Sequence, residues 1–161
     1  MRKAVRPSVI IPILLILLTV LFIWSNSLKD ASESTAQSRG FSAWFASVFD
    51  VERQPFRFIY ENLRKVAHFS EFALLGAESA LLLLWNGKRG VRCFIAGLSF
   101  CAVIAAIDEC IQYFVPGRAC AILDVGIDTA GSLAALSLLF LAEFFIARRR
   151  FSKCKTAKTG T

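Results

Sequence analysis

The chain has 161 residues, of which 56% are hydrophobic and 19% are charged, and it contains fifteen Phe and three Trp. This balance excludes an ordinary soluble domain, and because the apolar residues fall in blocks of about twenty, the length that crosses a bilayer, it predicts a multi-span membrane protein. The net charge of +7 does not indicate a nucleic-acid partner, because twelve of the nineteen basic residues flank the predicted spans on one side, as the positive-inside rule expects.

The first predicted span covers about residues 9–25 and follows the basic residues Arg2, Lys3 and Arg6. A basic start before an apolar run is also typical of a signal peptide. The length of the run, the lack of a small-residue cleavage site close behind it and the later apolar runs favour a span. Its N-terminus is then expected to be cytoplasmic.

An outer loop with amphipathic helices is predicted over residues 26–64. Residues 26–40 are polar and rich in Ser, which is typical of a solvated loop. Two apolar stripes with helical spacing follow, one at Phe41, Trp44, Phe45, Val48 and Phe49, and one after Pro55 at Phe56, Ile59, Tyr60 and Leu63. Because both stripes are too short to span, we expect two short helices at the outer interface. They would form either a packing lid or a lipid-contacting vestibule.

Three further spans are predicted over about residues 66–85, 91–114 and 122–146. The basic turn at 86–90 and the run Arg148-Arg149-Arg150 indicate the cytoplasmic side. Small residues at four-residue spacing on the last two spans are typical of close helix packing in membranes: Gly97, Cys101 and Ala105, then Gly126, Ala130 and Ala134. The predicted fold is an all-α bundle of four transmembrane helices with both termini in the cytoplasm.

Charged and polar side chains gather at the outer ends of three spans. These are Lys65, His68 and Glu71 on span two, Asp108, Glu109 and Gln112 on span three, Asp124 and Asp128 on span four, and Arg118 in the turn between. At about 1.5 Å per residue, all should lie within roughly 10 Å of one membrane boundary. Carboxylates in hydrocarbon need a partner, a proton or a water-filled cavity, so the cluster predicts a polar site. Glu78 lies deeper on the face of Glu71 and has no obvious partner at its depth.

Two kinds of chemistry suit the carboxylates and the histidine of this cluster. One His with several carboxylates can hold a divalent metal ion such as Mg²⁺, Mn²⁺ or Zn²⁺, and Glu71, Asp108 and Glu109 are the candidate ligands. Alternatively, His68, Asp108 and Glu109 share acid and base roles in catalysis.

The remaining polar residues suit the binding of an anionic substrate. Lys65 and Arg118 are suited to a lipid phosphate or pyrophosphate. Gln112, Asp124 and Asp128 would complete the substrate-binding shell. A structural reading also stands, in which the whole cluster forms ion pairs that lock the helices together.

Three boxes of the sequence occur in a recognisable combination. They are Lys65-Val66-Ala67-His68-Phe69, then Asp108-Glu109-Cys110-Ile111-Gln112 with the turn Pro116-Gly117-Arg118, and then Asp124 and Asp128 before Gly131. In this order they resemble the VanZ-like family, whose pattern runs as Lys-x-x-His-Phe, Asp-Glu-x-x-Gln, a Pro-Gly-Arg turn, and Asp and Asn spaced by four before a Gly. The resemblance covers roughly residues 10–147. Asp128 departs from the family pattern, because the family usually has Asn at that position. The aspartate adds a possible negative charge.

The resemblance implies a multi-pass protein of the bacterial cytoplasmic (inner) membrane. Together with the placement of the basic residues, it divides the chain into a basic cytoplasmic N-terminus at 1–8, a membrane domain at 9–147 and a basic cytoplasmic tail at 148–161. The family's namesake is associated with low-level resistance to the glycopeptide teicoplanin.

The function expected from the residues and the resemblance together concerns the cell envelope. The leading hypothesis is that an outward-facing polar site binds or acts on a membrane lipid or a lipid-linked envelope precursor. The alternative is a non-catalytic binding or transport-accessory protein that holds an ion or a headgroup. The scarcity of polar residues in the spans below Glu78 counts against a transport path.

Overall fold

A computed structural model describes residues 7–50, 56–118 and 122–159, and within these ranges the backbone forms six α-helices and no strand. The helices are α1 (Pro7–Ser27), α2 (Ala31–Val48), α3 (Phe56–Glu61), α4 (Leu63–Trp85), α5 (Val91–Tyr113) and α6 (Ile122–Thr159). The predicted all-α class is confirmed. The basic residues at positions 2, 3 and 6 and the helix break at Pro55 lie outside the described residues.

Four of the helices are long and apolar enough to cross a membrane, over Val9–Ser27, Leu63–Trp85, Val91–Tyr113 and Ile122–Arg149. This confirms the predicted four spans. Their outer faces expose large apolar side chains such as Leu18 and Leu138, which an aqueous solvent would disfavour. The chain is therefore a multi-pass membrane protein. Helix α6 continues past its apolar part, through the basic residues, to Thr159.

Helix α2 begins ten residues earlier than the sequence prediction placed it, so the prediction of a loop conformation over residues 31–40 was wrong, although most of the described side chains there are exposed as predicted. The side chain of Asp30 caps the helix by accepting hydrogen bonds from the backbone N–H groups of Ser32 and Glu33, both at 2.8 Å. Such a cap satisfies amide donors that the first turn leaves without partners. The Ser-rich segment is therefore the first half of a helix.

Helices α4 and α6 form the closest contact in the bundle, because glycines let their backbones approach. A methyl group added at Gly76 would lie 2.6 Å from the carbonyl oxygen of Ser132, and one added at Gly131 would overlap the carbonyl oxygen of Phe69. Ser132 also donates a hydrogen bond from Oγ to the carbonyl oxygen of Phe72 at 2.9 Å. Small residues at a crossing allow this approach in membrane helices.

Helix α1 packs beside α4 and α5 and completes the core. The buried apolar cluster draws on all four spanning helices and comprises Ile16, Val20, Ile23, Phe72, Leu75, Ala80, Cys101, Ile104, Ala105 and Leu136.

The turn after α5 directs the chain back over one end of the bundle. Gly117 has a φ of 76°, a conformation that glycine adopts without steric cost. The backbone N–H of Arg118 closes the turn by donating to the carbonyl oxygen of Val115 at 3.2 Å. As a result, the Arg118 side chain reaches the end of α1, where its guanidinium contacts backbone carbonyl groups.

Candidate functional site

Polar side chains are buried together at one end of the bundle, where α1 and α5 end and α4 and α6 begin. Asp108, Gln112 and Asp128 are fully buried, and Glu109 is 2% exposed. Burying several carboxylates within an apolar bundle is costly unless each has a compensating group.

His68 and Asp128 face each other across the close crossing of α4 and α6. The Nδ1 atom of His68 lies 3.6 Å from Oδ1 of Asp128, a distance too long for a hydrogen bond. Asp108 joins them from α5, so that one potential metal-ligand atom from each of the three residues lies within 4.8 Å of the other two. Among the described residues, neither carboxylate oxygen of Asp128 has a hydrogen-bond partner, and Oδ1 of Asp108 has none.

The second oxygen of Asp108 is held by Gln112, one turn along α5. The amide Nε2 of Gln112 donates to Oδ2 of Asp108 at 2.9 Å and to Oγ of Ser27 at 3.3 Å. Its carbonyl Oε1 accepts from Nη2 of Arg64 at 3.2 Å. The amide orientation is thereby fixed from both sides, and Gln112 serves to orient Asp108. The contact with Ser27 was not predicted, since it depends on how α1 packs.

Glu71 contacts the end of α1 and lies outside this group of three residues. Its Oε1 accepts a hydrogen bond from Nδ2 of Asn26 at 3.1 Å, and Oδ1 of Asn26 accepts one from Lys29 at 2.8 Å. Among the described residues, the group with ligand atoms close enough to share a metal ion consists of His68, Asp108 and Asp128. The predicted ligands Glu71 and Glu109 are not part of it.

Arg118 spans the end of the bundle. Its guanidinium donates to the backbone carbonyls of Ser27 and Asn26, both at 3.3 Å. Burial lowers the pKa of Arg118 from its ordinary value, and the positive charge of Arg64 lowers it further, although guanidinium groups remain charged in proteins. Arg64 and Arg118 thus bring two positive charges near each other, and the carboxylates of Asp108 and Glu109 offset part of the charge on Arg118.

Two cavities open at this end, and Arg64 and His68 line both of them. The first, which we call the polar cavity, has a volume of about 290 Å³ and is lined by Asn62, Arg64, Lys65, His68, Asp124, Ile127 and Asp128. The second, which we call the apolar cavity, has a volume of about 500 Å³. Its lining includes Phe41, Phe45, Ile59, Leu63 and Val66, with Glu71 and Arg118 at its polar edge.

The predicted site residues therefore divide between these places. Lys65 and Asp124 line the polar cavity with His68 and Asp128. Asp108, Glu109 and Gln112 are buried behind it, and Glu71 and Arg118 border the apolar cavity. Arg64 is not among the predicted site residues, yet it contacts Gln112 and lines both cavities. Its position directly before Lys65 is the signal that could have identified it.

Glu78 has a partner that the sequence prediction did not find. Its Oε1 accepts a hydrogen bond from Oγ1 of Thr19 on α1 at 3.0 Å, and both side chains are buried. The expectation of a carboxylate without a partner was wrong, because only the packing of α1 against α4 brings Thr19 to that depth. Glu78 thus belongs to the helix packing and lies apart from the site.

A comparison with protein families identifies the family to which the sequence is similar. The sequence model of the VanZ/LLP1 family matches residues 9–144, which is most of the chain and includes all of the predicted site residues. Comparison with curated proteins and with solved structures gives no significant match. The match covers the first three spans and most of the fourth, the buried polar group and the residues that line both cavities, and so the chain belongs to the VanZ/LLP1 family.

Proposed function

We propose that this protein binds, and acts on, a lipid or a lipid-linked envelope molecule at the end of the bundle where the two cavities meet. The anionic headgroup would occupy the polar cavity, and the hydrocarbon chain would lie in the apolar cavity. The proposal agrees with what the VanZ-like family resemblance implies, a role at the cell envelope with an association with glycopeptide resistance.

The observation that carries the proposal is the shared wall between a polar and an apolar cavity. Their volumes, about 290 and 500 Å³, are of the size that small ligands occupy. A ligand that is ionic at one end and apolar at the other is the kind of molecule that would fill both. Arg64 and His68, which line both cavities, would contact such a ligand where its two parts join.

The charges at the entrance support an anionic headgroup. Lys65 and Arg64 line the polar cavity and are exposed, and Arg118 borders the apolar cavity nearby. Hydrogen bonds from guanidinium and ammonium groups to phosphate oxygens are charge-assisted and roughly twice as strong as neutral ones. A phosphate or pyrophosphate group is therefore the headgroup that these side chains favour.

The orientation that we propose places this end of the bundle at the outer face of the membrane. The turn between α4 and α5, at the opposite end, carries Lys88 and Arg89, and the apolar part of α6 ends near the same side with Arg148 and Arg149. Basic residues next to spans favour the cytoplasmic side. The site would then face the compartment in which envelope precursors are assembled.

Chemistry on the bound molecule is supported by the position of His68. Its imidazole borders the polar cavity and faces Asp128, an arrangement in which a histidine can exchange a proton with a bound group. Asp108 and Glu109 lie buried behind it, in the acid or base roles predicted from the sequence. Binding without reaction is the alternative, and it uses the same cavity and the same cations.

The experiment measures how anionic lipid stabilises the purified protein. In a neutral detergent, phosphatidylglycerol should raise the unfolding temperature more than phosphatidylcholine does, because only the former carries a net negative charge. The Arg64→Ala/Lys65→Ala variant should lose most of this difference. The matched control is Lys88→Ala/Arg92→Ala, which removes two exposed charges from the other end of the bundle.

The outcome decides between a built site and general attraction to charge. Loss of the lipid difference in the Arg64→Ala/Lys65→Ala variant alone supports the proposal. Equal loss in both variants would contradict it, since a net charge of +7 attracts anionic lipid wherever the basic residues lie.

A further inference from the structure

We propose that His68, Asp108 and Asp128 form a binding site for one divalent metal ion of the Zn²⁺ or Mn²⁺ kind. The inference goes beyond the proposed function, because it concerns two buried carboxylates and a partly buried histidine and holds whether or not a lipid binds. It also differs from the set predicted from the sequence, in which the histidine and Asp108 were joined by Glu71 and Glu109, because Asp128 takes the place of those two glutamates.

The geometry of the three side chains is close to that of a ligand set. Zn²⁺ lies about 2.0–2.2 Å from nitrogen and oxygen ligands, so two atoms that bind one ion are roughly 3–4 Å apart. The contact from His68 Nδ1 to Asp128 Oδ1 is 3.6 Å, and one donor atom from each residue lies within 4.8 Å of the others. Side-chain shifts of less than about 1 Å would bring all three into coordination range.

The second observation is that three carboxylate oxygens of this group lack hydrogen-bond donors. Asp128 is fully buried, and among the described residues neither of its oxygens accepts a hydrogen bond. Asp108 is also fully buried, and its Oδ1 accepts none. Buried polar atoms are nearly always satisfied in native proteins, so three such oxygens beside a histidine require a partner. A cation would satisfy all of them at once.

Charge leads to the same conclusion. His68 can carry one positive charge, whereas Asp108 and Asp128 together carry two negative charges when ionised. Within the described part of the chain, His68 is the ion-pair partner of Asp128, and Asp108 interacts electrostatically with His68 and Arg118. A divalent ion would balance both carboxylates and leave His68 neutral, which is the form that binds metals.

The surroundings of Asp108 resemble the outer shell of a metal site. Gln112 donates to Oδ2 of Asp108 and is itself held by Arg64 and Ser27, which leaves Oδ1 directed away from that bond. Outer-shell hydrogen bonds of this kind fix the direction of metal ligands. One imidazole with two carboxylates favours Zn²⁺ or Mn²⁺ over Mg²⁺, which binds chiefly to oxygen.

The site would retain an open coordination position. His68 and Asp128 both line the polar cavity, so a water molecule or an anionic group in that cavity could reach the ion. Three protein ligands with an open position are typical of catalytic zinc sites, whereas structural sites use four.

The test measures metal content and stability in the full-length protein, purified in detergent with a tag that lacks histidine. Wild type is incubated with Zn²⁺ or Mn²⁺ and desalted, and its metal is measured by mass spectrometry. We expect about one ion per chain and a higher unfolding temperature with metal than with chelator. Asp128→Asn and Asp108→Asn should each weaken binding by at least about tenfold, since changes to the outer shell alone cost about 10–100-fold.

The matched control is Asp124→Asn, which changes a carboxylate that lines the same cavity but lies outside the three-atom group. Because its charge acts on Asp128 without supplying a ligand atom, it should weaken metal binding far less than Asp128→Asn does. If Asp128→Asn does not fold, His68→Gln provides the same test at a less buried position. Wild type that takes up no metal, or Asp128→Asn that takes up as much as wild type, would overturn the proposal.

The two proposals fail separately. If metal uptake depends on Asp128 but anionic lipid does not raise the unfolding temperature, the proposed lipid function is overturned and the metal site stands. A lipid response that depends on Arg64 and Lys65, in a protein that binds no metal, would do the reverse.

Discussion

Replacement of Gly76 by alanine tests whether the close crossing of α4 and α6 holds the bundle together. The added methyl group would lie 2.6 Å from the carbonyl oxygen of Ser132 and 2.8 Å from its Cα, whereas ordinary contact begins at 3.4 Å. The shortfall is about 0.8 Å, and it is against backbone atoms, which cannot rotate away. Separating the helices by that distance forfeits about a quarter to a half of the dispersion energy of each contact.

We therefore expect Gly76→Ala to destabilise the protein by roughly 1–3 kcal/mol, the usual cost of overpacking. The control is Gly126→Ala on α6, where an added methyl group has nothing within 4 Å and the better helix propensity of alanine is worth up to about 1 kcal/mol. The free energy of unfolding can be measured by titration with a denaturing detergent. If the two variants were equally stable, the close crossing would not be a source of stability.

Three further substitutions each remove one local interaction, and the expected losses differ in size. Thr19→Val removes the donor to buried Glu78, and we expect a loss of about 1–3 kcal/mol in the same unfolding assay. Asp30→Ala removes the cap of α2, so amide hydrogen exchange should accelerate in its first turn. The cap lowers the pKa of Asp30, so its contribution is complete above the ordinary value of 3.8 and is lost as the pH falls through the lower folded value. Arg89→Ala breaks the 2.7 Å ion pair with Glu143, but Arg89 is largely exposed and the loss should stay below about 1 kcal/mol.

Each of these has its own control. Thr19→Val should cost less in a Glu78→Leu background, and an equal cost there would mean that the hydrogen bond is not the cause. If amide hydrogen exchange in the first turn of α2 is unchanged by Asp30→Ala, packing and not the cap stabilises that turn. A loss of several kcal/mol from Arg89→Ala would contradict the view that this pair is a solvated surface contact.

The spans could be predicted from the sequence because length and apolarity determine them directly. The start of α2 was missed because the Ser-rich composition of residues 31–40 is typical of a loop, whereas the signal for a helix lies at the capping position before it. Asp30 followed three residues later by Glu33 is a helix-start signal, and it was present in the sequence. Local capping therefore carried more information than the abundance of Ser.

The grouping of the site residues was less predictable, because it depends on how the helices pack. Spacing along each helix placed the carboxylates at one end but gave no pairing between helices. His68 meets Asp128 because α4 and α6 approach closely at Gly131, while Glu71, one turn from His68, faces Asn26 on α1. These partners follow from three-dimensional packing, which a pattern along one helix cannot provide.

The exposed aromatic face of α2 has a consequence for how a ligand would reach the apolar cavity. Phe45 is buried and lines that cavity, while Trp44 and Val48 on the same helix are exposed, as expected of a helix lying at the membrane interface. A lipid-linked molecule could then enter sideways, by diffusion within its own leaflet, without passing through water. Occupancy would follow the mole fraction of that lipid in the leaflet rather than its concentration in solution, so binding would respond to the composition of the membrane itself.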